Sequence, residues 1–191
     1  MLKKIILGIV ILAAIVGAVY FNKNYAVVEQ YLDEYQIYRR IVRTDTAEMD
    51  ILVKCSPGLK KCTNLKRLSV AVDKETNLEY LSEMNNLEEI WLFYFGGYCE
   101  KLETLPELPN LKNMMIATNF DREYTFAISD ENKYNFSNIE FLELRYFYDI
   151  DFNSLNYFEN LHTLTLWCIV SDLTEEQIEE LQARGINVEI K

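Results

Sequence analysis

The sequence predicts an α/β solenoid with a parallel concave sheet, preceded by an N-terminal transmembrane helix. Three observations predict it. A seven-residue pattern recurs five times: Asn, an apolar residue, two variable residues, an apolar residue, one variable, an apolar residue. A run of seventeen residues without a charge, Ile5–Phe21, stands near the start. Half of the 191 residues are apolar, enough for one sizeable core in a single domain.

The repeats come first. They stand at Asn64–Val70, Asn86–Leu92, Asn110–Ile116, Asn138–Leu144 and Asn160–Leu166, in steps of 22, 24, 28 and 22 residues. A repeat of this length buries its apolar edge against its neighbours along the stack. The fourth and sixth residues are apolar and two apart, the period of a strand with one buried face. Leu68 and Val70, Ile90 and Leu92, Met114 and Ile116, Leu142 and Leu144, Leu164 and Leu166 therefore point inward. Behind the strands, Leu78, Leu81 and Met84, then Leu102, Leu105 and Leu108, then Ile150, Phe152, Leu155 and Phe158 return the chain in short helical or 3₁₀ turns. The longest step carries extra residues over Thr118–Ser137, where Tyr124, Phe126 and Ile128 alternate as a short additional strand.

Over residues 50 to 191 this pattern resembles the leucine-rich repeat family, which implies a scaffold that binds on its concave face. The family places Asn or Cys three residues beyond the last strand apolar. Here Asn119 alone does so, while Asp73, Phe95, Phe147 and Ile169 fill the other positions.

Residues 1–21 read as a membrane anchor. At 1.5 Å per residue the uncharged run is roughly 25 Å long, within the lower range of a spanning helix. Lys3 and Lys4 outweigh Lys23, which keeps the N-terminus in the cytoplasm and exports the repeats as a single-pass membrane protein. A cleaved signal peptide ending at Val16-Gly17-Ala18 is the rival, and it makes the protein secreted. Residues 22–63 form a linker and N-terminal cap. Within it, Asn22–Arg43 is helical by pattern, with Val28, Tyr31, Tyr35, Tyr38 and Val42 as its apolar stripe. That helix either covers the first repeat or serves as a dimerising stalk. Residues 64–191 form the repeat domain, closed by a helix and a strand. Thr174-Glu175-Glu176-Gln177 is a capping box, Gly185 ends the helix, and Ile186, Val188 and Ile190 alternate as a last strand.

Cys55 and Cys62 flank the turn sequence Ser-Pro-Gly and are the candidate disulfide of an exported chain, with two free thiols as the alternative. Cys99 and Cys168 follow strands three repeats apart, on the order of 14 Å, beyond the ~7 Å Cα limit of a bridge. Catalytic chemistry finds little support. The single histidine, His162, occupies a variable, solvated position, and no second one supports zinc. No cofactor or metal site is expected, and the chain reads as no enzyme. Residues 44–191 carry 13 Lys/Arg and 27 Asp/Glu, a charge that repels nucleic acid.

Strand side chains alternate, so the third, fifth and seventh residues of each repeat face the concave side. Glu89, Trp91, Phe93, Met115, Phe141, Glu143, Arg145 and Trp167 are the expected partner-binding residues there. Aromatic side chains rimmed by charge mark interaction sites. The function expected is non-catalytic capture of a protein or peptide, outside the membrane to which residues 5–21 tether the chain. The alternatives are a self-associating structural protein of the envelope and an acidic immunity or inhibitor protein that masks a basic partner.

Overall fold

The computed structural model describes residues 2–31, 36–73, 75–94, 102, 104–119, 123–128, 136–171 and 173–191, and of residues 2–8 and 50 the backbone alone. A helix, α1 (Leu2–Asn24), leads into β1 (Tyr25–Tyr31), β2 (Ile37–Arg43) and β3 (Glu48–Lys54). The repeats then supply β4 (Arg67–Val72), β5 (Glu89–Tyr94), β6 (Asn113–Ala117), β8 (Phe141–Arg145) and β10 (Thr163–Trp167). Between them lie β7 (Thr125–Phe126) and β9 (Asp149–Ile150), which pair in a small parallel sheet where the alternation of Tyr124, Phe126 and Ile128 falls. The chain closes with α2 (Glu175–Ala183) and β11 (Asn187–Ile190).

Nine strands form one sheet in the order β11-β10-β8-β6-β5-β4-β3-β1-β2. From β3 to β11 every pairing is parallel, whereas β1 is antiparallel to both β2 and β3. The repeat sets the register. Leu68, Ile90, Met114, Leu142 and Leu164 line up across the strands, as do Val70, Leu92, Ile116, Leu144 and Leu166. None of these ten is more than 2 % exposed. Burying each such side chain contributes about 1.5–3 kcal/mol, so the two rows make the core.

Leu78–Leu81 and Phe152–Tyr157 form 3₁₀ turns that pack Leu78, Leu81 and Leu155 beneath the sheet. Phe126 meets Phe147 edge-on at 5.6 Å and Phe158 lies 5.4 Å from Phe136, filling the space behind the longest step.

The repeated Asn has a structural reason. Asn86 Nδ2 donates to the Thr63 carbonyl at 3.0 Å, Asn110 to Asn85 at 2.6 Å, Asn138 to Pro109 at 3.3 Å and Asn160 to Ser137 at 2.7 Å. Each acceptor immediately precedes the corresponding Asn one repeat earlier. The side-chain ladder that the resemblance places after the strands therefore stands before them. Phe147 at the later position is buried instead, and Asp73 anchors a turn. Phe95 lies outside the described residues.

The expected leucine-rich repeat solenoid behind a transmembrane helix is corrected to a mixed α/β fold: one mostly parallel sheet with few helices. Asn22–Arg43 is no helix beyond Asn24. It forms the antiparallel β1–β2 hairpin, which extends the sheet sideways. Ala26 and Val28 alternate into the core, Tyr38 is exposed, and Tyr35 lies outside the described residues. Beyond Asn24, the described residues of that segment form neither a helical cap nor a helical stalk. Among the described residues no helix is long and apolar enough to cross a membrane. That finding overturns the membrane anchor at residues 1–21 and the single-pass topology that was to hold the repeats at the membrane. The described apolar side chains of α1 run from Ile9 to Phe21. Those side chains are exposed along α1, whose Phe21 stacks on Tyr25 at 5.2 Å.

Gly58 marks the closest approach in the N-terminal part. A Cβ at this position would collide with the carbonyl oxygen of Val27, so only glycine lets the turn after β3 lie under β1. At the C-terminal end, Thr174 and Gln177 complete the capping box of α2, and Gly185 at φ 84° ends it in the left-handed conformation.

Candidate functional site

The outer face of the sheet carries three rows of side chains in the register that the core imposes. The first runs Arg67, Glu89, Asn113, Phe141, Thr163, and the second Ser69, Trp91, Met115, Glu143, Thr165. The third runs Ala71, Phe93, Ala117, Arg145, Trp167. All eight expected partner-binding residues therefore stand on one face, brought together by strand pairing alone.

Their exposures differ. Trp91 is 37 % exposed and Phe141 45 %, while Met115, in register between Trp91 and Glu143, is only 3 % exposed. Large side chains on the two neighbouring strands cover Met115, so it is a floor and not a rim. Phe93, Glu89, Glu143, Arg145 and Trp167 are half-buried.

Two hollows of about 280 Å³ each open on this face and share Trp91 as their dividing wall. One lies over Met115 between Trp91 and Phe141, with Glu89, Glu143 and Thr165 at its sides. The other lies between Trp91, Phe93 and the β3 residues Ile51 and Leu52. The contribution of β3 was not read from the sequence. Ile51-Leu52-Val53 is an unbroken apolar run without the alternation of the repeats, and the register shifts between Met49 and Leu52. Asn113, Thr163 and Thr165 also line the first hollow, at positions that strand parity alone would have found.

The charges on the face are paired. Glu89 accepts from Arg67 Nε at 2.8 Å and from the Trp91 indole N–H at 2.6 Å, which fixes the ring. Glu143 accepts from Arg145 Nε at 2.6 Å. The Arg145 guanidinium and the Lys191 ammonium lie 5.3 and 5.5 Å from the centre of the Trp167 ring, within range of cation–π attraction. Lys191 also meets Glu189 at 2.9 Å and holds its carboxyl below the usual range. Trp91 and Phe141 are thus the open aromatic groups, and Trp167 is a covered one. His162 is exposed just before β10, beside the Lys112–Glu140 ion pair of 2.6 Å.

Cys55 and Cys62 are not joined. Both are buried free thiols, and Cys55 Sγ turns along the stack to the Asn77 carbonyl at 3.1 Å instead of across the turn. Burial pushes the Cys55 thiol up to about 12 and raises that of Cys62 too, so neither is a thiolate near neutral pH. Cys168 is free and exposed, and Cys99 lies outside the described residues. Among the described residues no three His, Cys, Asp or Glu side chains are grouped to hold a metal ion. Compared with protein-family models, with curated proteins and with solved structures, the chain matches none.

Proposed function

We propose that the chain is a non-catalytic module that binds a protein or peptide on the outer face of its sheet. The observation that carries this reading is the pair Trp91 and Phe141, exposed on opposite sides of a hollow floored by buried Met115. Open aromatic side chains within a polar rim favour partner contact. Because Arg67 already pairs with Glu89 and Arg145 with Glu143, an apolar side chain can enter between them without stranding a charge. Each hollow is open and smaller than a usual small-molecule cavity, a size that suits single side chains of an extended segment.

A second reading rests on charge. Residues 44–191 carry twice as many acidic as basic residues, and a basic partner would be drawn to them. In that case association slows steeply as salt rises, whereas anchoring at Trp91 and Phe141 is nearly salt-independent.

The test begins with a photo-crosslinking residue at position 141, which identifies what lies against the face in the native host. Trp91→Ala and Phe141→Ala are then each expected to weaken binding of that partner by about 2 kcal/mol, roughly thirtyfold, with the unfolding midpoint unchanged. Variants that fold and bind normally move the site to another surface. Variants that unfold make the rings part of the core and remove the site.

A further inference from the structure

We infer that the two open edges of the sheet fit each other, so that the chain associates head to tail with β11 of one copy adding to β2 of the next. The inference is independent of the outer face, because both edges lie at its ends.

β2 ends the sheet on one side without any cover among the described residues. Ile37, Tyr38 and Ile41 are 45 %, 52 % and 58 % exposed. An uncovered seven-residue edge that exposes Ile37, Tyr38 and Ile41 is a template for another strand. The Thr44 N–H donates to the Asn24 carbonyl at 2.9 Å, which fixes the pairing parity of β1 and β2. Tyr38, Arg40 and Val42 accordingly direct their N–H and C=O groups to β1, and Ile37, Arg39, Ile41 and Arg43 direct theirs outward.

On the other edge, the Asn187 and Lys191 N–H groups donate to the His162 and Leu166 carbonyls of the β10 side, each at 2.8 Å. Val188 and Ile190 therefore present their backbone groups outward, and Ile190 is 54 % exposed. The directions also agree. β1 is antiparallel to both of its neighbours, so β2 runs parallel to β3 and hence to β11. Joining β11 to β2 of a second copy continues the parallel sheet with inner and outer faces conserved.

Charge selects this pairing over the symmetric one. β2 carries Arg39, Arg40 and Arg43 and no acidic residue. The far edge carries Glu189, and the adjoining α2 carries Glu175, Glu176, Glu179 and Glu180 and no basic residue. Pairing β2 with β2 would set arginines against arginines, which opposes association. Pairing β2 with β11 brings those arginines, of which Arg39 already meets Glu29 at 3.8 Å, toward the α2 glutamates and toward Glu189, which Lys191 partly offsets at 2.9 Å. A contact between unlike edges is heterologous, so it builds chains or rings of copies beyond the dimer.

Two variants test it in the whole 191-residue chain. Ile41→Pro and Ile190→Pro each remove an outward N–H and leave the inward hydrogen bonds of their strand intact. Sedimentation of the natural chain should show species beyond the dimer that grow with concentration and recede as salt rises. Each variant alone should be monomeric, and an equimolar mixture should give a dimer, since one supplies β11 and the other β2. A natural chain that stays monomeric at all concentrations overturns the inference. So does association that survives both substitutions, which would assign it to the exposed side chains of α1, and so does a dimer of the Ile190→Pro variant alone, which would mark a symmetric β2 contact.

Discussion

From β4 to β10 each strand meets neighbours built like itself, whereas from β1 to the turn at Leu59–Lys61 each contact occurs once. In the repeated part, two inner rows and an Asn ladder recur at every step, and ion pairs such as Lys66–Glu88 and Lys112–Glu140 join the rim at two of them. At the N-terminal end, the absence of a side chain at Gly58 lets β1 lie over the turn, and Tyr31 ties β1 to the loop after β4 through Asp73. The difference is one of redundancy. A fault in the stack is bounded by intact copies on both sides, and a fault at the N-terminal junction has no copy to fall back on.

The largest effect expected is in the stack itself. Leu92→Ala leaves a cavity between Val70 and Ile116, its partners in register, and should cost about 2–5 kcal/mol in chemical denaturation. Leu166→Ala, one strand from the end, should cost less within that range, because one flank can relax. Equal costs at the two positions would argue against local containment. Gly58→Ala comes next. Gly58 has φ −63° and ψ −32°, which any residue adopts, so the whole penalty is the clash with the Val27 carbonyl. We expect about 1–3 kcal/mol. Hydrogen exchange should localise the change to β1 and β2 while β5 to β10 stay protected.

This asymmetry also governs how much could be read from the residues. Strands β4, β5, β6, β8 and β10 were legible because alternation and repetition agree, and α2 because its capping box is local. The outer rows followed from parity, but the burial of Met115 did not, since it depends on the bulk of Trp91 and Glu143 on adjacent strands. The hairpin was misread because Val28, Tyr31, Tyr38 and Val42 keep helical spacing along the chain, although β1 and β2 fold them back on each other. Nor could spacing reveal that Cys55 aims at Asn77. The recurrent Asn was plain, yet its acceptor lies a whole repeat away.

Acid should probe the Asp73 contact at the N-terminal junction. Burial pushes the Asp73 carboxyl up, but hydrogen bonds from Tyr31, Thr76 and the Glu75 N–H, with Lys54 at 3.5 Å, outweigh it and hold the group below its ordinary value. Burial and Asp73 together hold the Tyr31 hydroxyl above the ordinary tyrosine range, so it remains the donor. A carboxylate whose folded pKa is depressed stabilises the fold above its unfolded pKa of about 3.9, and that contribution vanishes as pH falls through the folded value. Tyr31→Phe should therefore cost about 1 kcal/mol at pH 7 and flatten the acid limb of stability. If the limb keeps its slope in the variant, other carboxylates carry it.

The smallest effect belongs to the ladder, and it is the sharpest probe of redundancy. Asn110→Ala removes one hydrogen bond of 2.6 Å to a carbonyl near solvent, so water replaces part of the loss. About 0.5–1.5 kcal/mol is expected. Asn86→Ala and Asn160→Ala should fall in the same range, because their acceptors occupy equivalent positions. The informative measurement is the pair. Asn86 and Asn160 are three repeats apart and share no partner, so their costs should add within about 0.5 kcal/mol. Asn86 and Asn110 adjoin through the Asn85–Asn86 peptide, whose carbonyl Asn110 holds, and their combined cost should exceed the sum. Strict additivity for both pairs would make the ladder a set of independent clips, and coupling confined to the adjacent pair would show that the repeats support one another only through their nearest neighbours.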